Sequence, residues 1–205
     1  MQNFFHVDSA SPLKTKVLTS ALSLFVEKGY FNTSIPDLVK HSGVSTGTIY
    51  KYFGDKQGLA NSLMECLIEE LYQQEIAVIE PHASAQARYR ALVVWIMQFS
   101  LDYPDVMSFI LYARHKDYLP NSSHICSSKP FMILRDIIQQ GIESQEVRKM
   151  DGMVAASLAF GSVLRLVQLH LDGLLERPLM AYLDELTDTA WRAIENPENV
   201  TFNIK

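Results

Sequence analysis

Cysteine is nearly missing from this chain: two residues in 205, Cys66 and Cys126, far apart and without paired spacing. That excludes a disulfide-stapled scaffold and fits a reducing compartment. Glycine (9) and proline (8) are too scarce for a collagen-like or low-complexity chain. No uncharged apolar run approaches the ~18 residues of a membrane span; the longest, Gly152 to Leu164, has 13. The amino-terminal stretch Met1-Gln2-Asn3-Phe4-Phe5-His6-Val7-Asp8 lacks the basic start and apolar core of a secretory leader. A cytoplasmic protein with no membrane partner is expected. Strand-like alternation is also lacking, as are internal repeats.

Basic charge is not in excess either, since the net charge is −5. Its distribution is informative. Residues 1–56 carry six lysines against the four acids Asp8, Glu27, Asp37 and Asp55, whereas the remainder has 12 basic and 19 acidic residues. A mildly basic head on an acidic body is the sign expected of a small nucleic-acid-contacting module, and a solvated helix face gives the same sign.

What is present is helical periodicity. Ser11-Pro12 opens a helix that runs to Lys28, with Leu13, Val17, Leu18, Ala21, Leu22 and Phe25 on one face and Gly29 just past its end. Ser34-Ile35-Pro36-Asp37 is a capping-box variant opening a helix to about His41. Gly43 falls where a tight turn needs positive φ. Ser45 can then cap a second short helix, Thr46 to Phe53. Two short helices joined by a glycine-containing turn make a helix-turn-helix, with Leu38, Val39, Val44, Ile49 and Phe53 as its expected core.

One long helix follows, from Asp55 to about Glu80, ended by Pro81. Leu59, Leu63, Cys66, Leu67 and Leu71 form its core side, and Glu65, Glu69, Glu70 and Glu75 its wet side. Helical periodicity continues over roughly 84–102, 104–116, 128–144, 151–172 and 178–195, while 117–127 reads as a loop and 198–205 as a tail. The 151–172 segment is apolar all round and must be covered on all sides. The fold class is therefore all-α: about nine helices, with a helix-turn-helix three-helix domain (1–54) and a helical bundle (55–205) linked by the helix 55–80.

The run Gly29-Tyr30-Phe31-Asn32-Thr33-Ser34-Ile35, Asp37-Leu38, Ser42-Gly43-Val44-Ser45-Thr46-Gly47-Thr48-Ile49-Tyr50-Lys51-Tyr52-Phe53 and Asp55-Lys56 closely resembles the DNA-binding domain of the tetracycline-repressor (TetR) family. The resemblance is dense over about residues 12–63 and only architectural beyond. Val39 and Ser42 stand where the family commonly has Ala. Gly58 sits in the opening turn of the long helix, where glycine costs ~1 kcal/mol in helix propensity.

The resemblance implies a ligand-responsive transcriptional regulator, most simply a repressor, that binds a palindromic DNA operator as a homodimer. Helix-turn-helix readers place the amino-terminal end of the second helix at base edges in the major groove. Ser45, Thr46, Gly47, Thr48 and Lys51 occupy that end, and the resemblance assigns Ser34, Tyr50, Tyr52 and Lys56 to phosphates. An unknown small-molecule effector is expected in the body, with Trp95, Met97, Phe99, Phe109, Tyr112, Phe131, Leu134, Arg165, Gln168 and His170 as candidate lining. Ala155, Ala159, Ser162, Leu166, Leu183, Leu186 and Ala190 are the candidate dimer interface. The alternative is an all-helical small-molecule or protein-binding dimer without sequence-specific DNA binding.

His115, His124 and Cys126 are too sparse for a metal site, and Lys129 is the one basic neighbour that could activate Cys126. No catalytic triad, phosphate loop or paired catalytic carboxylate has supporting context. No enzyme activity, metal or cofactor is expected.

Overall fold

Nine α-helices account for most of the described residues of the computed structural model, which describes Phe4, residues 11–113 and residues 128–199. His115, His124 and Cys126 lie outside them. The helices are α1 (Pro12–Lys28), α2 (Ile35–Ser42), α3 (Thr46–Phe53), α4 (Lys56–Ile79), α5 (Ala85–Asp102), α6 (Pro104–Tyr112), α7 (Lys129–Glu143), α8 (Gly152–Leu171) and α9 (Leu183–Arg192). Among the described residues the extended structure is an isolated antiparallel bridge between Val147 and Glu195. The all-α reading holds, with boundaries within a residue or two of those expected for most helices. The segment expected as one helix over 178–195 instead begins as a 3₁₀ turn, Leu179–Tyr182. Pro178 enters it with an extended ψ of 141°, so α9 starts only at Leu183.

The chain forms two compact units. The first comprises its described residues up to Leu71 together with those of 102–128; the second comprises 72–101 and its described residues from Lys129 on. The head thus extends past the expected 1–54, because α6 packs on α1 and stacks Phe109 on Phe25 at 6.4 Å. Within this unit Val17, Leu18, Ala21 and Phe25 of α1 are buried, as are Leu38, Val44, Ile49, Phe53, Leu59 and Leu63. Leu13, expected on the apolar face, is 46% exposed, and Val39 is half-buried. Pro12 starts α1 as expected, but the Ser11 hydroxyl makes no capping bond.

Gly58 has a steric rather than a neutral role. A Cβ there would stand 2.0 Å from the Phe53 carbonyl oxygen. The Gly58 N–H instead donates to Asp55 Oδ1 at 2.7 Å, which caps α4.

In the second unit Tyr89 of α5 is fully buried, donates its hydroxyl to the Ala159 carbonyl at 3.2 Å, and packs against Phe160 and Trp191. Glu146 accepts the backbone N–H groups of Ala85 and Gln86, both at 3.0 Å, and so caps α5 from sixty residues away. Glu75, expected on the wet side of α4, is buried.

Among the described residues α8 is the one helix long and apolar enough to cross a membrane, with mean hydropathy 1.5 over its best window. The sequence run of 13 stopped at Arg165, whereas the helix continues through it to Leu171. Ala155, Ala159, Phe160, Val163 and Val167 bury one side in the helix's own unit. Met153, Val154 and Leu158 stay exposed on the other.

Candidate nucleic-acid interface

The geometry of α2 and α3 follows from local hydrogen bonds. The Ser34 hydroxyl accepts the Asp37 N–H at 3.2 Å, and the Asp37 carboxylate accepts the Ser34 N–H at 2.8 Å, closing the capping box. Bonds from the Ser34 side chain and backbone hold the Asp37 carboxyl below its ordinary range. At the turn Gly43 adopts the left-handed conformation, with φ 65° and ψ 17°, and donates its N–H to Val39 at 2.8 Å. The Ser42 hydroxyl accepts the Val44 N–H, which ties the chain into α3. Ser45 then caps α3, accepting the Thr48 N–H at 3.3 Å and sharing a 2.9 Å bond with the Thr48 hydroxyl.

These bonds divide α3 into two faces. Ile49 and Phe53 are buried and hold the helix in place. Thr46, Gly47, Tyr50 and Lys51 form one exposed face at its amino-terminal end, and Ser45 is exposed beside them. Around Gly47 a Cβ would meet nothing within 4 Å, so the fold itself does not demand glycine there. Thr48 is half-buried, and its hydroxyl is partly occupied by Ser45. Tyr50 is 48% exposed and Tyr52 40%.

Lys56 is held differently from the expected free phosphate contact. Its ammonium donates to the carbonyls of Tyr30 and Thr33 at 3.0 and 2.9 Å, beneath a Tyr30 ring 4.3 Å away. Spacing gave no sign of this, because the partners lie 26 and 23 residues earlier. Lys16 went unnoticed for the same reason. From α1 its Nζ reaches to 3.7 Å of where a Gly43 Cβ would stand, placing a positive charge beside the helix-turn-helix turn.

The ten candidate effector residues divide between the two units. Phe109 and Tyr112 belong to the first unit, Phe109 buried and Tyr112 exposed. In the second unit Met97, Phe99 and Leu134 are buried, while Phe131, Gln168 and His170 are half-buried. Arg165 is exposed and donates to Gln168 at 3.4 Å. Trp95 is the one of the ten that lines a described groove. That groove is open, has a volume of about 650 Å³, and is bounded by Val78, His82, Ala87, Arg90, Ala91, Val94, Trp95 and Gln98.

Of the seven candidate interface residues, Ala155, Ala159 and Ala190 are buried within their own unit. Ser162 is exposed, and Leu166, Leu183 and Leu186 are half-buried. The free apolar surface of α8 is carried one position round, by Met153, Val154 and Leu158, with Gly161 open beside them. Periodicity identified an apolar helix but could not say which side its own chain would take.

Two family models match in succession. "Bacterial regulatory proteins, tetR family" covers residues 17–63, and "Tetracyclin repressor-like, C-terminal domain" covers 64–196. The HTH-type transcriptional regulator HbdR of Aromatoleum sp. (strain CIB) is 38% identical over 61 residues, 30% of this chain and 26% of that protein. The chain thus spans about a quarter of the length of that relative. The fatty acid metabolism regulator protein of Bacillus subtilis (strain 168) is 26% identical over 158 residues, 74% of this chain and 80% of that one. The crystal structure of the transcriptional regulator FadR from Bacillus subtilis, in complex with stearoyl-CoA, superposes with a TM-score of 0.71 at 18% identity. That superposition covers 88% of this chain and 98% of FadR, and it shows a shared fold.

Proposed function

The chain belongs to the tetR family of bacterial regulatory proteins, and from that premise we propose that it is a transcriptional repressor. It binds a palindromic operator as a homodimer in the bacterial cytoplasm and is released by a small molecule held in the second unit. The observation that carries this reading is the Ser45-capped start of α3, where Thr46, Gly47, Tyr50 and Lys51 stand exposed on one face. A helix presented this way can enter the major groove, with side chains at base edges and the backbone at Gly47 close to the DNA.

The roles divide by reach. Thr46 and Lys51 read base edges, with Thr48 contributing what its bond to Ser45 leaves free. Tyr50, Tyr52 and the Ser34 cap contact phosphates, which fix register without carrying sequence. Lys16 adds charge at the turn. Lys56 acts on the fold first, by clamping the segment between α1 and α2. The exposed α8 face of Met153, Val154 and Leu158, with Ser162 and the half-buried Leu183 and Leu186, receives the second copy. Two-fold related readers need half-sites about 34–36 Å apart, so a small effector-driven change in their separation abolishes the fit. No observation favours a binding dimer without DNA recognition.

Purified protein is incubated with sheared DNA from its own organism at fixed moderate salt, and the retained fragments are sequenced, with Tyr50→Ala in parallel. The expected result is a shared palindrome, lost in the variant. Enrichment without a common sequence, or equal enrichment by Tyr50→Ala, overturns the assignment.

A further inference from the structure

The exposed face at the start of α3 has a narrow chemistry. Ser45, Thr46, Gly47, Tyr50 and Lys51 include no carboxylate, no side-chain amide and no guanidinium. Lys51 carries the one charge of this face, and among the described residues its ammonium has no hydrogen bond or ion pair. The Ser45 and Thr48 hydroxyls engage each other at 2.9 Å, which leaves that ammonium as the strongest donor on offer.

Gly47 and Lys51 stand one turn apart on the same side of the helix. Side chains on a helix lean toward its amino-terminal end, so Lys51 leans over Gly47. A Cβ at Gly47 would meet nothing within 4 Å, so the missing side chain leaves open space beside the ammonium. Thr46, the residue before it, is exposed and brings a methyl group to the same end.

These groups differ in what they can read. A lysine ammonium donates and never accepts. In the major groove guanine presents two neighbouring acceptors, O6 and N7. Adenine sets an amino donor beside its N7, and cytosine presents an amino donor, so a side-chain amide or a carboxylate suits them better. This face has neither. Thymine projects a C5-methyl group, which calls for an apolar contact and room to stand. Thr46 and the space at Gly47 offer both.

We propose that each operator half-site holds a guanine bound at O6 and N7 by Lys51 and, within two base steps of it, a thymine whose methyl fills the space over Gly47 against Thr46. The spacing agrees, since Gly47 and Lys51 are ~6 Å apart along the helix axis and successive bases ~3.4 Å apart. The assignment rests on the reading of α3 as the DNA-contacting helix.

The test starts from the palindrome retained by the full-length protein. In synthetic duplexes each guanine is replaced in turn by 7-deazaguanine, which lacks the N7 acceptor, and each thymine by uracil, which lacks the methyl. Affinities are measured at one fixed salt concentration. One guanine per half-site should lose at least ~5-fold in affinity on replacement, and this penalty should vanish in Lys51→Ala. At a thymine within two steps, uracil should weaken the wild type, whereas Gly47→Ala, whose own methyl takes the space, should prefer uracil. A half-site without a sensitive guanine, or an equal penalty in the wild type and Lys51→Ala, overturns the guanine contact. A Gly47→Ala protein that still prefers thymine overturns the thymine contact. A shared palindrome insensitive to both replacements leaves the repressor and sinks this assignment, while retention of no common sequence removes the repressor reading as well.

Discussion

The Lys56 ammonium sits 4.3 Å from the centre of the Tyr30 ring while donating to the Tyr30 carbonyl at 3.0 Å. The start of α4 is thereby fastened to the segment that leads from α1 into α2, with the Thr33 carbonyl as a third point of attachment. A lysine that the family resemblance assigns to a phosphate is here first a clamp.

Lys56→Ala should therefore lower stability by about 1–2 kcal/mol, the range of a charge-assisted bond at a partly exposed site. Lys51→Ala, whose side chain is exposed, should leave stability unchanged. Denaturant titration checks both. Operator binding then separates their roles: Lys51→Ala should relax discrimination at one base pair, whereas Lys56→Ala should leave the slope of logarithmic affinity against salt unchanged. A reduced slope with intact stability in Lys56→Ala contradicts the clamp.

Two glycines should respond to alanine with opposite sign. At Gly58 the added methyl meets the Phe53 carbonyl oxygen at 2.0 Å, so Gly58→Ala should lower stability by roughly 1–3 kcal/mol. At Gly47 it meets nothing, so Gly47→Ala should raise stability by up to about 1 kcal/mol through helix propensity. Operator binding by Gly47→Ala should nonetheless fall. A stabilised protein that still binds its operator normally shows that the close approach to DNA at this position is wrong.

Leu158→Glu places a charge on the exposed face of α8 and should yield a folded monomer in sedimentation, with helical circular dichroism retained. Ala159→Glu should instead unfold the second unit, because Ala159 is fully buried and its carbonyl holds the Tyr89 hydroxyl. If Leu158→Glu sediments as a dimer, the second copy docks elsewhere.

Two acids give stability opposite dependences on pH. Partial burial raises the Glu146 carboxyl, but the N–H groups of Gln86 and Ala85, the Ser144 hydroxyl and Arg88 outweigh this and hold it below its ordinary range. Its contribution is present above the unfolded-state value and is lost as pH falls through the folded one. Glu75 is raised to about 9, so its protonated form favours the fold at low pH and that advantage is lost as pH rises toward 9. Glu75→Gln should match the wild type near pH 4 and exceed it increasingly above, by at most about 1.4 kcal/mol per pH unit. Parallel stability curves from pH 4 to 9 contradict the burial of this acid.

The helices and their caps were legible in the sequence because the forces that make them are local. A capping box spans four residues, a helical stripe repeats every three or four, and the Gly43 turn needs one special conformation. Ser34, Gly43 and Ser45 could be assigned on those grounds, as could the burial of Ile49 and Phe53, whereas Thr48, expected beside Thr46 and Lys51, is half-buried. Glu75 was misplaced on the wet side because the charge pattern of α4 cannot report what covers its last turns. Ala159 and Leu158 are neighbours on an apolar helix, and partners distant in sequence, among them Tyr89 seventy residues earlier, cover the side that Ala159 takes. The Tyr30–Lys56 clamp, the Glu146 cap on α5 and the pairing of Arg90 with Asp184 join residues 26 to 94 apart. The sequence by itself thus determined the helices, their caps and the buried side of α3. The tertiary structure alone decided which charges are free and which apolar surface is left over, because burial depends on partners that are distant along the chain.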